Sequence, residues 1–386
     1  MPRRFTNSNP YLQIAISLIA GLLIGGLTFL FLECLDSINR AQEKLNLDVP
    51  FHLALAPVVL LLLILIKRNT LFFPTKVNEL AEEVSSHYWS WLMAPVNFIG
   101  ALIGHASGMS LGREGAVVLF SAGFVRVLKL SWSFWGPVFS SIGFSAVLGN
   151  FWVAPVFMSE LFVATSLMQK LLGMIGSITA VLLGRQLGMP HIFLPVEIQD
   201  GMGFFAKFGV LLLLSIGAGF IMRYYKQFHK AALDYFQTAH IVTLLVLASG
   251  LAALLYLPEF RAYQSLSIQA VHDLSSLKVS LVACFAKLAF TLMATALGFL
   301  GGEFIPLVYA GVNWGGALFQ SLGYSSQLGA VFGAFLLFAA GTRLKWTSFV
   351  LMAFLMGWSW VLWIFFVLTI ALNFSGPHSL YQKFRQ

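Results

Sequence analysis

The sequence predicts an all-α, polytopic membrane protein assembled from two related halves, and three observations carry that expectation. The chain of 386 residues is 59% hydrophobic and only 10% charged, whereas soluble domains run nearer half apolar and a quarter charged. Long stretches hold no Asp, Glu, Lys or Arg: 11–32, 130–159, 208–222, 304–342 and 346–374. Each is long enough for all or part of a span of about 20 residues. A glycine-glutamate pattern also recurs about half a chain apart, at 112–123 and 301–311, as expected of a protein made of structural repeats.

The elements follow in order. Residues 1–10 are basic, but the run 11–32 is too long for a signal segment and has no clear cleavage site, so it reads as a retained first helix. Basic residues cluster at run ends: Arg3 and Arg4, Lys67 and Arg68, Arg223 and Lys226, Lys383 and Arg385. Cytoplasmic loops carry such clusters, and the first two flank a pair of spans, which places the N-terminus in the cytoplasm. The net charge of +8 belongs to this pattern and is no nucleic-acid signal. The polar stretches 35–50, 75–90, 185–203, 223–240 and 258–280 read as loops or interfacial helices. Within them "KVNELAEEVSSHYWSW" (76–91), ending in Trp89 and Trp91, reads as an interfacial segment. Several apolar runs contain Gly and Pro, so short or broken helices are expected beside full spans. No linker divides the chain. It reads as one transmembrane domain over 1–386, with a first repeat over about 11–200 and a second over about 204–386. Cys34 and Cys284 lie far apart without metal spacing and read as packing residues.

The stretch "GMSLGREGAVVLFSAG" (108–123) sets Arg113 and Glu114 side by side between uncharged runs at 84–112 and 115–125. Its echo, "GGEFIPLVYAG" (301–311), carries Glu303. Gly112 and Gly115 precede a helix-like run in the first copy. Gly301 and Gly302 do so in the second, with Pro306 suited to a first helical turn. Glycines permit a sharp break that leaves the first N–H groups of the following helix without intrahelical partners. At membrane depth such groups belong beside a cavity or ligand, and with the helix dipole they favour an anion. A carboxylate there competes with the anion when ionised and withdraws when protonated, and intramembrane acids mark ion or proton paths. The alternative for Glu114 is pairing with Arg113 at a helix end near water. For Glu303 a structural and a functional role stand level. Glu160 and Lys287 read equally as polar contacts or functional groups, and His105 reads as a hydrogen-bonded packing residue. His52, His87, His191, His229, His240 and His272 show no metal spacing. Tyr381, in "PHSLYQKF", offers a hydroxyl to an anion, although an interfacial anchor is the simpler reading. GREG is not a phosphate-binding loop, since no Gly-Lys-Ser/Thr follows.

Together these residues resemble the CLC chloride channels and proton-coupled exchangers. "GMSLGREGAVV" is similar to the family's GxEGP signature with Ala116 at the proline, "GGEFIP" to its GxFxP anion loop, and "SGPHSLYQ" (375–382) to the segment bearing the pore tyrosine. The resemblance implies a CLC-type inverted repeat of tilted and broken helices, with Glu114 as external gating glutamate. It implies anion binding by the backbone N–H groups of Phe304 and Ile305 and by the Tyr381 hydroxyl, beside the loop of Gly112, Arg113 and Gly115. It further implies a homodimer with one pathway per subunit. No cofactor beyond the transported halide and proton is expected, and no C-terminal soluble domain. The family's GSGxP loop has no match, "RNTLFFPTKVNEL" (68–80) standing in its place without the serine. The inner proton glutamate has no match either: Glu160 is near, but the register falls at Thr165. Both departures resemble the bacterial fluoride/proton exchangers of the family, as do "KLAFTLMATALGFLGGEFIP" (287–306) and "LIGH" (102–105). Phe304 keeps the chloride-type aromatic.

The expectation is therefore halide transport, chloride or fluoride, by anion/proton antiport in a bacterial inner membrane, with Glu303 as a second acid on the proton or anion path and fluoride favoured. Two other classes stay in view: a passive anion channel on the same fold, and, more distantly, an intramembrane enzyme using a serine such as Ser249.

Overall fold

A computed structural model of the chain describes residues 9–45, 49–70, 77, 80, 90–162, 164–189, 201–265 and 278–381. Among the described residues there are fourteen α-helices and no strand. They are α1 (Pro10–Leu45), α2 (Val49–Thr70), α3 (Met93–Ala106), α4 (Glu114–Val127), α5 (Trp132–Leu148), α6 (Val153–Leu161) and α7 (Leu167–Gln186), then α8 (Phe204–Thr238), α9 (Ile241–Tyr256), α10 (Leu281–Leu297), α11 (Phe304–Ser321), α12 (Ser326–Thr342), α13 (Lys345–Met356) and α14 (Val361–Phe374).

Three of the described helices are long and apolar enough to cross a membrane, within Pro10–Ala41, Leu167–Gln186 and Phe204–Thr238. Apart from α2, at 22 residues, the rest are shorter, at 9 to 18 residues, as the interrupted runs imply. The run 130–159 divides at Gly149, left-handed at φ 69°, and 304–342 divides at Gly323, at φ 79°. A helix of 17 residues, such as α5 or α12, rises about 26 Å against a hydrocarbon core of about 30 Å. Its ends then fall at or near hydrocarbon depth, where backbone groups need protein partners.

Two polar stretches differ from the expectation of loops or interfacial helices. Residues 35–45 continue α1, where an exposed Asp36–Arg40 pair at 3.4 Å bridges one helical turn. Residues 223–238 continue α8, which reaches 35 residues. The interfacial segment expected at 76–91 lies outside the described residues apart from Val77, Leu80 and the short 3-10 turn beginning at Ser90. The serine-less stretch at 71–76 is likewise outside them.

The chain forms two compact units, one of Met1–Gly108, Gly112–His191 and Gly298–Gly302, the other of Met109–Leu111, Ile192–Leu297 and Glu303–Gln386. The loop Gly298–Gly302, from the second half of the sequence, thus belongs to the first unit. In that unit α1 starts on Pro10, with the Asn9 side chain accepting the Tyr11 N–H at 2.9 Å, a cap at a position where proline fits. It packs along α7 because Gly21 and Gly25 bring its backbone onto Gly176 and Ala180, leaving no space for larger side chains. Ser17 seals the seam by donating to the Leu172 carbonyl. Ser166 and Gln169 form a reciprocal cap at the start of α7, and the Gln169 amide also donates to the Phe134 carbonyl at 2.8 Å, tying α7 to α5. Phe31 meets Phe98 and Phe120 edge to face, and those two rings tilt against each other, between α1, α3 and α4.

In the second unit the tightest seam joins α11 to α12. Gly311 and Gly315 face Gly333 and Gly329, and a Cβ at any of the four would overlap the opposing backbone or a ring packed on it. This is a small-xxx-small contact on both helices, the arrangement that lets membrane helices approach backbone to backbone. Gly333→Val inserts a branched side chain into that seam and is expected to destabilise the protein by roughly 1–3 kcal/mol or more. A lowered thermal midpoint in detergent, or loss of the monodisperse peak, checks this.

Candidate functional site

The two glycine loops singled out in the sequence meet. The Gly112 N–H donates to the Gly302 carbonyl at 2.5 Å, and the Gly302 N–H donates back to the Gly112 carbonyl at 2.7 Å, making an isolated antiparallel bridge. Gly115 sits against the same point. A Cβ on Gly302 would lie 2.7 Å from the Gly115 nitrogen, and one on Gly115 would lie 2.7 Å from the Gly302 Cα. Two of the loop glycines, 115 and 302, are therefore required by contact of backbone with backbone. Gly112, expected among the anion-binding residues, has its N–H engaged by Gly302. What it contributes is the bridge.

Each half of the bridge runs into a helix. Arg113 precedes α4 and Glu114 opens it, and the ladder starts with the Val117 N–H on the Arg113 carbonyl at 3.1 Å. The Glu114 carboxylate thus occupies a first turn, where the helix dipole favours negative charge. The Arg113 Nε approaches Glu114 Oε1 at 3.4 Å, and the two side chains are 6% and 1% exposed. The pairing weighed as the alternative for Glu114 is present, but it is buried rather than placed near water. Removing one partner of such a pair leaves an uncompensated charge in low dielectric, so the two residues depend on each other.

The second helix start has the same plan. Glu303 precedes α11 and Phe304 opens it, with the Leu307 N–H on the Glu303 carbonyl at 2.9 Å. Pro306 carries no N–H, so Phe304 and Ile305 supply the amide donors ahead of the ladder. Both residues are fully buried. Glu303 is 14% exposed, with Oε1 4.0 Å from His229 Nε2.

Tyr381 reaches this helix start through a chain of rings. It stands edge-on to Phe338 of α12 at 6.4 Å, and Phe338 stands edge-on to Phe304 at 4.5 Å. The segment bearing Tyr381 is held by the end of α12. The Leu380 N–H donates to the Gly341 carbonyl at 2.9 Å, Ser379 Oγ donates to the Thr342 carbonyl, and the Tyr381 N–H donates to Ser379 Oγ at 3.1 Å. Arg343, left-handed at φ 60°, donates from its guanidinium to the Gly376 carbonyl at 2.5 Å. Lys226, read from the sequence as a cytoplasmic charge marker, is buried. Its ammonium donates to the His378 carbonyl at 2.6 Å and the Ala340 carbonyl at 3.0 Å. Lys226, Arg343 and Phe338 are the positioning residues the sequence did not disclose. Nothing in the sequence set Lys226 apart from the other basic residues at run ends.

Other candidates have structural partners. Lys287 is buried and donates to the Tyr263 carbonyl at 3.0 Å and the Ser265 carbonyl at 2.8 Å, beside the Tyr309 ring. Ser249 donates to the Leu245 carbonyl one turn back. Cys34 and Cys284 are both free thiols.

The model of the voltage-gated chloride channel family matches residues 73–376. The chain belongs to that family. The resemblance read from the three motifs therefore stands, and with it CLC-type anion transport across a membrane. Solved structures with this fold include a CLC-type fluoride/proton antiporter, at TM-score 0.82 and 18% identity over 98% of both chains. A slow cyanobacterial Cl⁻/H⁺ antiporter gives TM-score 0.79 and 16% identity over 96% of this chain and 95% of that one. A eukaryotic CLC transporter gives TM-score 0.74 and 14% identity over 97% of this chain and 74% of that one. No curated protein matches the chain.

Lys226→Met keeps the length and apolar body of the side chain and removes both carbonyl contacts. It is expected to loosen the segment that carries Tyr381, at a cost of roughly 1.5–3 kcal/mol. Faster amide hydrogen exchange at residues 376–381, with α1 and α7 unchanged, is the measurement that checks it.

Proposed function

We propose that this CLC-family chain is a halide/proton antiporter of a bacterial inner membrane, with its N-terminus in the cytoplasm, that favours fluoride over chloride and works as a homodimer with one pathway per subunit. The observation that carries the reading is the reciprocal Gly112–Gly302 bridge. Both helix starts follow it within two residues along the chain, one opening with Glu114 and the other with Phe304. In this mechanism the Phe304 and Ile305 amides and the Tyr381 hydroxyl hold the anion, which trades its hydration shell for fixed donors and the positive end of a helix. Glu114 blocks the path when ionised, with Arg113 beside it to balance the charge. When protonated it yields to the anion and carries one proton across. Glu303 serves as the second acid on the proton path, in place of the inner glutamate the sequence lacks.

Fluoride is favoured on three features of the sequence: the stretch at 68–80 without a serine, the missing inner glutamate, and the Gly-Gly-Glu loop at 301–303. Two of the structural neighbours are described as proton-coupled antiporters, one of them for fluoride. A passive channel on the same fold remains the rival. Under a pH gradient a channel's reversal potential follows the anion gradient alone, whereas an antiporter's shifts with the proton gradient as well.

The test is purified protein in liposomes, with fluoride and chloride efflux read by ion-selective electrodes and internal pH by a dye. The wild type is expected to release fluoride faster than chloride and to take up protons as it does so. Glu114→Gln is expected to reduce proton uptake to the level of empty vesicles. Proton uptake at the wild-type rate in that variant would remove Glu114 from the mechanism. Tyr381→Phe removes one hydrogen bond to a charged ligand, worth about 1.5–3 kcal/mol. Halide affinity measured by calorimetry is then expected to fall about 10- to 150-fold.

A further inference from the structure

We infer that His229 is the proton-transfer partner of Glu303, carrying protons between the basic end of α8 and the start of α11. The inference rests on the antiport reading above. His229 Nε2 stands 4.0 Å from Glu303 Oε1, with the two side chains 10% and 14% exposed, and 3.1 Å from Thr295 Oγ1 on α10. The Thr295 hydroxyl has one hydrogen, which it donates to the Thr291 carbonyl at 2.9 Å, with the Leu292 carbonyl at 3.3 Å sharing it. Its oxygen is therefore the acceptor toward histidine, and Nε2 carries the proton. The nitrogen that faces the carboxylate is the protonated one. Thr295 thereby acts as a positioning residue that sets the tautomer.

The step is a simple transfer. The imidazolium gives its Nε2 proton to a Glu303 carboxylate oxygen, so that one N–H bond breaks and one O–H bond forms. The ring is left neutral with its remaining proton on Nδ1, and one proton from the aqueous side restores the Nε2–H that the Thr295 oxygen accepts. The 4.0 Å gap closes with a small side-chain rotation, and transfer geometries of this kind commonly tighten only when the ligand is in place. Histidine suits the task because its ordinary titration range lies near neutral pH.

The groups around the ring are consistent with this use. On α8 itself, Tyr225 stacks on the imidazole at 6.0 Å and lies within electrostatic reach of Glu303. Its hydroxyl is buried and has no hydrogen-bond partner among the described residues, so it is a ready donor to the same carboxylate. Arg223, Lys226 and Lys230 share this end of α8, with Lys226 bound to carbonyls of α12 and of the C-terminal segment. On α10 the titratable groups are Lys287 and Cys284, about 12 and 16 Å along the helix from Thr295, and Lys287 is bound to carbonyls. Tyr309 of α11 lies under Lys287. Arg343, closing α12, is bound to Gly376, and His378 and Tyr381 follow in the C-terminal segment. Helix α14 brings no charged residue. Glu303 is the acid that faces His229.

The test uses the full chain in liposomes, with halide and proton fluxes measured together over a range of pH. His229→Gln keeps a donor toward Thr295 and cannot carry a proton. Proton-coupled exchange is expected to slow by about 100-fold, the lower end of the range usual for loss of a general acid, and the histidine limb of its pH profile is expected to flatten. In His229→Gly, imidazole added to the medium is expected to restore coupled exchange in proportion to its concentration, which a purely structural contact would not allow. Thr295→Val keeps the histidine and frees its tautomer, so a smaller slowing with a displaced pH profile is expected. This variant also serves if the histidine replacements do not fold. Coupled exchange and a pH profile at wild-type values in His229→Gln would overturn the inference while leaving the antiport reading intact, as would an imidazole-insensitive His229→Gly. Wild-type protein that moves halide without protons would overturn both.

Discussion

Two hydrogen bonds between Gly112 and Gly302 organise the rest of the molecule. They join loops about half a chain apart in sequence, and they do so through backbone groups alone. At membrane depth a backbone donor or acceptor has no water to fall back on, so a loop that breaks a helix must find its partner in another loop. Gly115 and Gly302 are the condition for that meeting, since any side chain at either would push the chains apart. The bridge uses the polar groups of Gly112 and Gly302, and each loop then runs directly into a helix start. Arg113 and Glu114 are set beyond one glycine, and Glu303 and Phe304 beyond the other, by covalent connection.

The same economy of side chains recurs wherever helices approach. Gly21 and Gly25 on α1, and the two glycine pairs of α11 and α12, let backbones touch where lipid supplies no hydrophobic force to press helices together. Apart from the buried Arg113–Glu114 pair, charges that leave water are bound to carbonyls: Lys287 to Tyr263 and Ser265, Lys226 to Ala340 and His378, and the part-buried Arg343 to Gly376. Each lysine or arginine ties an irregular segment to a helix, which is how a membrane protein holds non-helical chain without water. The C-terminal segment, which carries Tyr381, is held in this way by both Lys226 and Arg343.

The ring sequence Phe304–Phe338–Tyr381 shows how local and distant parts of the chain are coupled. Phe338 lies on α12, and the Gly311/Gly333 seam fixes how α12 lies along α11. The position of the tyrosine ring relative to the start of α11 is thus a consequence of glycine packing two turns further along that helix, together with the hydrogen bonds that anchor residues 376–381.

Much of this was legible in the amino-acid sequence alone, for identifiable reasons. Composition settled the membrane class, because too few polar residues exist to cover a soluble core of this size. Glycine and proline inside apolar runs announced broken helices, and the Gly-x-Glu echo with its ordered motifs announced the family, since both are local patterns in which residue type dictates backbone behaviour. Tertiary structure alone decided what depends on distance between remote residues. It converted Lys226 from a topology marker into a buried clamp, assigned Gly112 to a bridge, placed Arg113 against Glu114 in a dry setting, and set His229 between Thr295 and Glu303. A lysine or histidine reads the same in a sequence whether it meets water or a carbonyl 114 residues away, because solvation and pairing are properties of the folded surroundings and not of the residue.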